Sequence, residues 1–105
     1  MGNFRAVVQY HFKKGMEEQG IHFLENELLK KASSYGCHHI ELLQDSKDHS
    51  YFIGIAEWNS LEEAKKFQMH FASKEKELLR FCIKEPTRHF CMLRNQYIEK
   101  SRKAA

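Results

Sequence analysis

One strand end carries the residues of this sequence that are best suited to bind a small organic molecule. Trp58, the only tryptophan, ends the run YFIGIAEW at positions 51–58, and Ser60 follows as a helix start. Gly54 and Ala56 fall on the same face of the predicted strand and leave space beside the indole ring. Apolar cavities with a few polar groups are typical of small-molecule sites. The alternative is that Trp58 is an aromatic anchor of the core.

Two cysteine–histidine pairs have the side chains that a metal site would need. Cys37 and His39 are spaced two apart on a predicted strand, as are His89 and Cys91, so each pair is expected to point to one face. The four would form a zinc site only if the two strands met across a dimer. No CxxC or HExxH spacing accompanies them, and a buried cysteine is ordinarily a small apolar residue. We therefore predict no metal site.

The composition excludes several functional classes. With 105 residues, 42% of them apolar, the chain suffices for one packed domain, and no apolar run reaches the roughly 20 residues of a membrane span. The net charge of +3 is too small for a strong nucleic-acid footprint. Three cysteines without paired spacing and no secretory signal predict a cytoplasmic protein. We expect a domain over residues 1–95 and a basic tail over 96–105, with neither a nucleic-acid nor a membrane partner.

Hydrophobic periodicity predicts six elements that would position these side chains. Alternation predicts strands, and apolar residues spaced three and four apart predict helices. The predicted elements are a strand over 4–13, a helix over 16–34, strands over 37–44 and 51–58, a helix that begins at Ser60 and breaks near Ser73, and a strand over 87–94. The segment SLEE has the capping-box pattern, in which Ser60 caps the helix and the Glu63 side chain reaches back.

The order β-α-β-β-α-β predicts an α+β fold, a ferredoxin-like sandwich with one antiparallel sheet and helices on one face. Both faces of this sheet carry apolar residues: in the second strand, Ile40 and Leu42 alternate with Leu43. One helical layer covers only one face, so we predict that the other meets a second copy in a homodimeric α/β barrel. RNA-recognition modules share this order, but their third strand needs a basic residue and stacking rings at set positions. YFIGIAEW has no basic residue and carries aliphatic side chains where those rings belong.

The stretch GCHHIELLQDSKDHSYFIGIAEWNSLEEAKKF, residues 36–67, resembles the antibiotic biosynthesis monooxygenase family of the dimeric α/β-barrel superfamily. Members of that family have a glycine after the first helix, and a strand that closes in Glu-Trp-x-Ser before an alanine-containing helix. The residues that match are Gly36, Glu57, Trp58, Ser60, Glu63 and Ala64. Together with the first strand and helix, the resemblance extends over about residues 4–94.

The resemblance implies the monooxygenation, or a related enolate- or quinone-type conversion, of a small organic molecule. Members include oxygenases that use neither metal nor flavin, so no cofactor is implied. An electron-rich enolate or phenolate reacts with oxygen directly, and the protein then has only to bind it in a dry pocket and deprotonate or orient it. We expect the pocket between the sheet and the helices, lined by Tyr10, Phe23, Gly54, Ala56, Phe67, Gln68 and Phe71.

Trp58 and His70 are the catalytic residues that the resemblance implies. Family members often carry a histidine ten or eleven residues after the glutamate, where this chain has Phe67 and Gln68. His70 follows two or three residues later, and it either reaches the pocket edge or is solvated. Haem-degrading relatives carry a tryptophan in the second helix, which this sequence lacks, so haem degradation is excluded. A non-catalytic small-molecule-binding or regulatory dimer of the same fold is the alternative function.

Overall fold

Four antiparallel strands form one sheet in the computed structural model, which describes residues 3–98. The strands are β1 (Phe4–His11), β2 (Cys37–Gln44), β3 (Tyr51–Trp58) and β4 (Thr87–Met92). Their order across the sheet is β2-β3-β1-β4, so β1 pairs with β3 on one side and β4 on the other. This order and the helical layer confirm the predicted ferredoxin-like α+β fold.

Three α-helices and two short 3-10 helices cover one face of the sheet. The α-helices are α1 (Glu17–Glu27), α2 (Leu61–His70) and α3 (Ala72–Leu78), and the 3-10 segments are Leu29–Tyr35 and Leu79–Phe81. Val8 and Tyr10 of β1, and Phe12 just after it, pack against Leu24 and Leu78 of the helices. Within residues 3–98, no helix combines the length and the apolar character that crossing a membrane would require.

The first helical segment differs from the single helix predicted over 16–34. The α-helix stops at Leu28, whose φ of −128° is not helical, and a 3-10 helix continues to Tyr35. The change of helix type lets Leu28 and Ala32 bury in two different apolar clusters. Gly36 then ends the segment with a φ of 107°, a left-handed conformation that favours glycine over residues with a Cβ atom.

The start of α2 matches the prediction only in part. The Ser60 side chain accepts a hydrogen bond from the Glu63 backbone N–H at 3.1 Å, as the capping-box pattern predicts. The Glu63 carboxylate does not reach back: its Oε1 is buried, has no hydrogen-bond partner among the described residues, and lies against Gly36. The helix ends at Phe71 rather than near Ser73, and α3 begins at once.

A β-bulge in β2 overturns the predicted pairing of Cys37 with His39 on one face. Cys37 pairs with Trp58 and His39 pairs with Glu57, so His38 is an extra residue between two successive pairs. The bulge turns Cys37 into the helix-facing core, where it is buried beside Trp58, while His39 is exposed. Cys37 and His39 therefore cannot act as a pair of metal ligands on one face.

The two terminal strands are shorter than predicted. β1 ends at His11 rather than residue 13, and β4 ends at Met92 rather than residue 94. Residues Asn95 to Ile98 are exposed and belong to no strand or helix. The basic residues predicted to form the tail, Lys100, Arg102 and Lys103, lie outside the described residues.

The face of the sheet that points away from the helices carries an apolar centre. Val7, Ile53 and Ile55 are half-buried there, and Leu43 is 46% exposed. Polar pairs surround this centre: the Arg5 guanidinium lies 3.7 Å from the Glu57 carboxylate, and the His11 imidazole lies 3.2 Å from the Asp48 carboxylate. The prediction that both faces of the sheet carry apolar residues is therefore confirmed for the single chain.

Candidate ligand cavity

A partly enclosed cavity of about 60 Å³ lies between the sheet and the helices. Small residues create it: Ala6 of β1, Gly54 and Ala56 of β3, and Ala32 and Ala64 of the helical layer line its wall. None of these five side chains extends beyond one methyl group, so the backbone elements enclose space that side chains do not fill. Aromatic rings and aliphatic side chains complete the wall.

Trp58 forms one end of this cavity. Its side chain is 2% exposed, and its ring packs against the Phe67 ring with centroids 5.4 Å apart. Its indole Nε1 is buried and finds no acceptor within residues 3–98. A buried donor without a partner costs about 1–3 kcal/mol. The arrangement therefore leaves one hydrogen-bond donor that a ligand or a water molecule can satisfy.

Tyr10 brings a phenol group to the middle of the cavity wall. The residue is 5% exposed, and its ring stacks near Phe12 at a centroid distance of 6.1 Å. Burial raises the pKa of the Tyr10 hydroxyl well above its ordinary value, and the positive charge of Arg88 offsets this only in part. The hydroxyl therefore remains protonated at neutral pH and can donate a hydrogen bond.

An ion pair closes the cavity on the side of β4. The Arg88 guanidinium contacts both carboxylate oxygens of Glu75, with Nη1 3.3 Å from Oε1 and Nη2 against Oε2. The two side chains are only 17% and 23% exposed, and the pair links α3 to β4. Arginine holds its charge at any physiological pH, so this cation is a permanent feature of the wall.

The structure brings most of the predicted pocket residues together. The predicted residues that line the cavity are Tyr10, Gly54, Ala56, Trp58, Phe67, Gln68 and Phe71. Phe23 does not line it. Its ring lies 5.9 Å from the Phe81 ring and beneath the Arg80 guanidinium, in an open groove on the outer side of α1.

His70 also lies outside the cavity. Its imidazole packs against the rings of Tyr35 and Phe71 at 5.4 Å and 5.1 Å, and the residue is exposed beside Lys66 and Met69. His70 follows Phe67 by three residues and Gln68 by two. At this position the turn of the helix directs the side chain away from the sheet. The sequence left two positions open for His70, at the pocket edge or on a solvated helix face. In this structure it lies on a solvated helix face.

Sequence reasoning missed Arg88 and Glu75. Both stand in segments that appear solvated in the sequence, and they meet only because α3 packs beside β4. Arg88 lies opposite Val8 in the sheet register, which places it on the helix-facing side. One indication of this position was present in the sequence. Arg88 stands two residues before Phe90 in the predicted fourth strand, so both side chains are expected on the same face.

No group of three or more histidine, cysteine, aspartate or glutamate side chains in residues 3–98 is arranged to hold a metal ion. His89 and Cys91 lie on the open face, opposite Val7 and Arg5 of β1. Burial raises the pKa of both the Cys37 and the Cys82 thiol, which favours the unreactive protonated form.

The fold is shared with several solved proteins. An antibiotic biosynthesis monooxygenase superposes with a TM-score of 0.74 at 16% identity, covering 88% of this chain and 99% of that one. A Streptomyces coelicolor monooxygenase bound to nanaomycin D superposes with a TM-score of 0.76 at 14% identity, covering 94% of each chain. A dimeric ferredoxin-like protein from an uncultured marine organism does so with a TM-score of 0.74 at 14% identity, covering 95% of each.

By sequence, no family model and no curated protein matches the chain. Identities this low show a common fold and no more. The resemblance to antibiotic biosynthesis monooxygenases that residues 36–67 indicate is thus confirmed at the level of the fold.

Proposed function

We propose that this protein is a cofactor-independent monooxygenase that oxidises a small molecule able to form an enolate or phenolate. The observation that carries the proposal is the buried indole N–H of Trp58, which lacks an acceptor among residues 3–98 and belongs to a residue that lines an apolar cavity. The common fold with solved monooxygenases supports the assignment. The homologous placement of Trp58 in the Glu-Trp-x-Ser segment supports it as well.

The reaction needs no external reductant if the substrate supplies all the electrons. An activated methylene group loses a proton, and the resulting carbanion gives one electron to O₂. The two radicals combine in a C–O bond, and loss of water leaves a carbonyl. One CH₂ group and one O₂ thus become one C=O group and one H₂O, and the substrate undergoes a four-electron oxidation.

The residues of the cavity would bind and orient the substrate rather than deprotonate it strongly. The protonated Tyr10 hydroxyl and the Trp58 indole N–H can both donate hydrogen bonds to a developing oxyanion. Apolar residues such as Val8 and Phe71 exclude water. Because no histidine lies in the wall formed by the described residues, the substrate must ionise readily by itself.

Oxygen consumption with a panel of one-ring phenols and 1,3-diketones tests the proposal. We expect turnover with at least one compound, and Trp58→Phe should lower kcat by about 100- to 1,000-fold because it removes one oxyanion donor. His70→Ala should leave kcat unchanged because the imidazole lies outside the cavity. If no compound is consumed, or if His70→Ala abolishes turnover while Trp58→Phe does not, the proposal fails.

A non-catalytic ligand-binding protein is the second candidate function. The absence of an ionisable base other than the paired Glu75 from the described cavity wall favours it. Such a protein would bind the same phenols and diketones, detected by calorimetry, without consuming oxygen. Binding without turnover across the panel would replace the first proposal with this one.

We further propose that the open face of the sheet joins two copies in a homodimer. The half-buried centre at Val7, Ile53 and Ile55 would be covered by the same surface of the second copy. The polar pairs Arg5–Glu57 and His11–Asp48 would form the rim of this interface. The solved dimeric ferredoxin-like protein of the same fold supports this arrangement.

Light scattering should give about twice the chain mass of 12.5 kDa at micromolar concentration. Ile53→Glu should produce a monomer because it buries a charge in the interface. Met69→Glu is the matched control, since Met69 is 77% exposed on α2. A folded wild-type monomer, or equal effects of the two substitutions, would contradict the dimer.

A further inference from the structure

The Glu75–Arg88 pair occupies the wall between two spaces. On one side lies the partly enclosed cavity of about 60 Å³, and on the other a surface depression of about 190 Å³. Both side chains line both spaces. The pair is thus a thin partition between the cavity and this surface depression.

This cavity is too small for the ligand that its wall suggests. A cavity that accepts benzene has a volume of about 150 Å³, more than twice the space found here. A one-ring ligand therefore requires additional room. Separating Glu75 from Arg88 would join the cavity to the outer depression and supply it.

The chemistry of the pair indicates which ligands can open it. Moving a guanidinium away from its carboxylate leaves a half-buried charge without a partner, which is costly. A ligand that carries its own ionised oxygen removes this cost at the guanidinium, because one oxyanion takes the place of another on the same planar donor set. A neutral ligand of the same shape cannot replace the carboxylate at Arg88 and therefore does not offset the cost of separating the pair.

The charges around the depression are balanced, so the depression itself does not select for anions. The preference for an anionic ligand depends on whether the ligand can replace the Glu75 carboxylate at Arg88. Glu75 and Glu85 oppose Arg88 and Lys76 there. On the inner side, the protonated Tyr10 hydroxyl lies close enough to feel the charges of both Arg88 and Glu75. An oxyanion held by Arg88 would therefore meet a second hydrogen-bond donor as it enters.

We propose that Arg88 is the anion-binding residue of this cavity and that Glu75 closes the entrance by occupying Arg88 until a ligand displaces it. The ligand class is a one-ring or enolic molecule with one ionised carboxylate, phenolate or enolate oxygen. This inference rests on the proposed function in placing the ligand in the Trp58 cavity, but it requires no turnover.

Two probes of equal shape and different charge test the inference: benzoate and benzamide. The readout is the NMR resonance of the indole N–H, which is unique because Trp58 is the only tryptophan. The variants are Glu75→Gln and Arg88→Gln, with Glu77→Gln as the control. Glu77 loses the same charge from the same helix but does not line the cavity.

We expect Glu75→Gln to bind benzoate about tenfold more tightly, because Arg88 then lacks a competing carboxylate. Arg88→Gln should weaken benzoate binding at least tenfold, and Arg88→Lys should retain part of the affinity because it keeps the charge but loses the paired contact. Glu77→Gln should match the wild type. Benzamide should not lose affinity in any variant, because it has no charge to pair with Arg88 and a weaker contact between residues 75 and 88 only eases its entry.

Each result has a definite meaning. If Arg88→Gln weakens benzoate and benzamide equally, or Glu75→Gln fails to tighten benzoate, the inference is wrong while ligand binding in the cavity stands. If neither probe moves the Trp58 resonance of the wild type, both the inference and the proposed function lose their site. If the protein prefers benzoate to benzamide through Arg88 but consumes no oxygen with the substrate panel, the inference is supported and only the monooxygenase proposal is contradicted. Should Arg88→Gln fail to fold, the Glu75→Gln and Arg88→Lys results decide.

Discussion

The two ends of the core are built from the same sheet and the same helical layer, yet they are packed differently. At one end, the large side chains of Phe12, Leu24 and Leu78 are all less than 2% exposed and fill the interior. At the other end, Trp58 is surrounded by alanines such as Ala6, Ala32 and Ala64, and a cavity remains. We call these the filled end and the cavity end.

The difference shows how one domain can separate stability from binding. At the filled end, α1 approaches the sheet so closely that Gly20 rests on the Phe12 ring. This contact leaves no room for a ligand and provides a large part of the hydrophobic stabilisation. At the cavity end, small residues keep the backbones apart without filling the gap, which costs stability but leaves space for a ligand.

Truncating the largest ring of each end should have the greatest effect. Phe12→Ala should lower the free energy of unfolding by about 3–5 kcal/mol because the filled end cannot collapse around the gap. Trp58→Ala should cost a similar ~3–5 kcal/mol if that residue also anchors the core. Urea unfolding followed by circular dichroism measures both. A loss below ~1 kcal/mol for Phe12→Ala would remove the distinction between the ends.

Adding one methyl group to α1 should break the filled end. The Cβ of Gly20→Ala would lie 2.5 Å from Cε1 of the Phe12 ring, which is fully buried and cannot move aside. The overlap should outweigh the gain in helix propensity of about 1 kcal/mol and give a net loss of about 1–3 kcal/mol. Thermal unfolding measures the loss, and a more stable variant would show that α1 can shift outward.

Replacing the indole by a smaller ring should separate packing from binding at the cavity end. Trp58→Phe retains most of the apolar contacts with Phe67 and should change the free energy of unfolding by about 1 kcal/mol or less. It removes the buried N–H, so ligand affinity or turnover should fall. If both properties remain unchanged, Trp58 is an aromatic filler and the cavity end has no role in binding.

The matched change at the cavity end is Gly54→Ala. The added Cβ would meet Cε2 of Tyr10 at 3.4 Å and Cδ1 of Leu42 at 3.8 Å, both ordinary contacts. We expect a stability gain of about 0.4–1 kcal/mol because the unfolded chain loses freedom, together with weaker ligand binding. Destabilisation equal to that of Gly20→Ala would show that the two ends are packed alike.

The smallest expected effect concerns the turn that adjoins the filled end. Hydrogen bonds from the Ser50 side chain and backbone hold the pKa of Asp48 below its ordinary value. Because the pKa is lower in the folded state, the stabilisation is present above about pH 4 and is lost as the pH falls through the folded value. Asp48→Asn should therefore be less stable than the wild type at about pH 7, with the difference vanishing once the pH falls below the folded-state pKa of Asp48. A difference that persists in acid would assign the effect to packing.

Local patterns were sufficient to predict the elements and their faces. The alternation of β3 correctly placed Phe52, Gly54, Ala56 and Trp58 on one side, and the helix cap at Ser60 is present. Side-chain alternation depends only on backbone geometry, so it can be read without knowing the neighbours. Boundaries were less accurate. The α-helix breaks at Leu28, where the chain buries Leu28 in one apolar cluster and Ala32 in the other.

Other features depended on contacts between segments distant in the chain. The bulge that separates Cys37 from His39 is defined by the register with β3, and the strict period of two assumed for β2 could not reveal it. The position of Phe23 was decided by the approach of Phe81 and Arg80, which lie nearly sixty residues later.

The sequence alone determined the fold class, the burial of Trp58 and the presence of small residues beside it. These follow from the spacing of apolar and small side chains along single elements. Only the tertiary structure decided which polar groups complete the cavity. Glu75 and Arg88 meet because α3 packs beside β4, and His70 is excluded because the turn of α2 carries it away from the sheet. An ion pair or a cavity wall is a property of three-dimensional packing, and no local period encodes it.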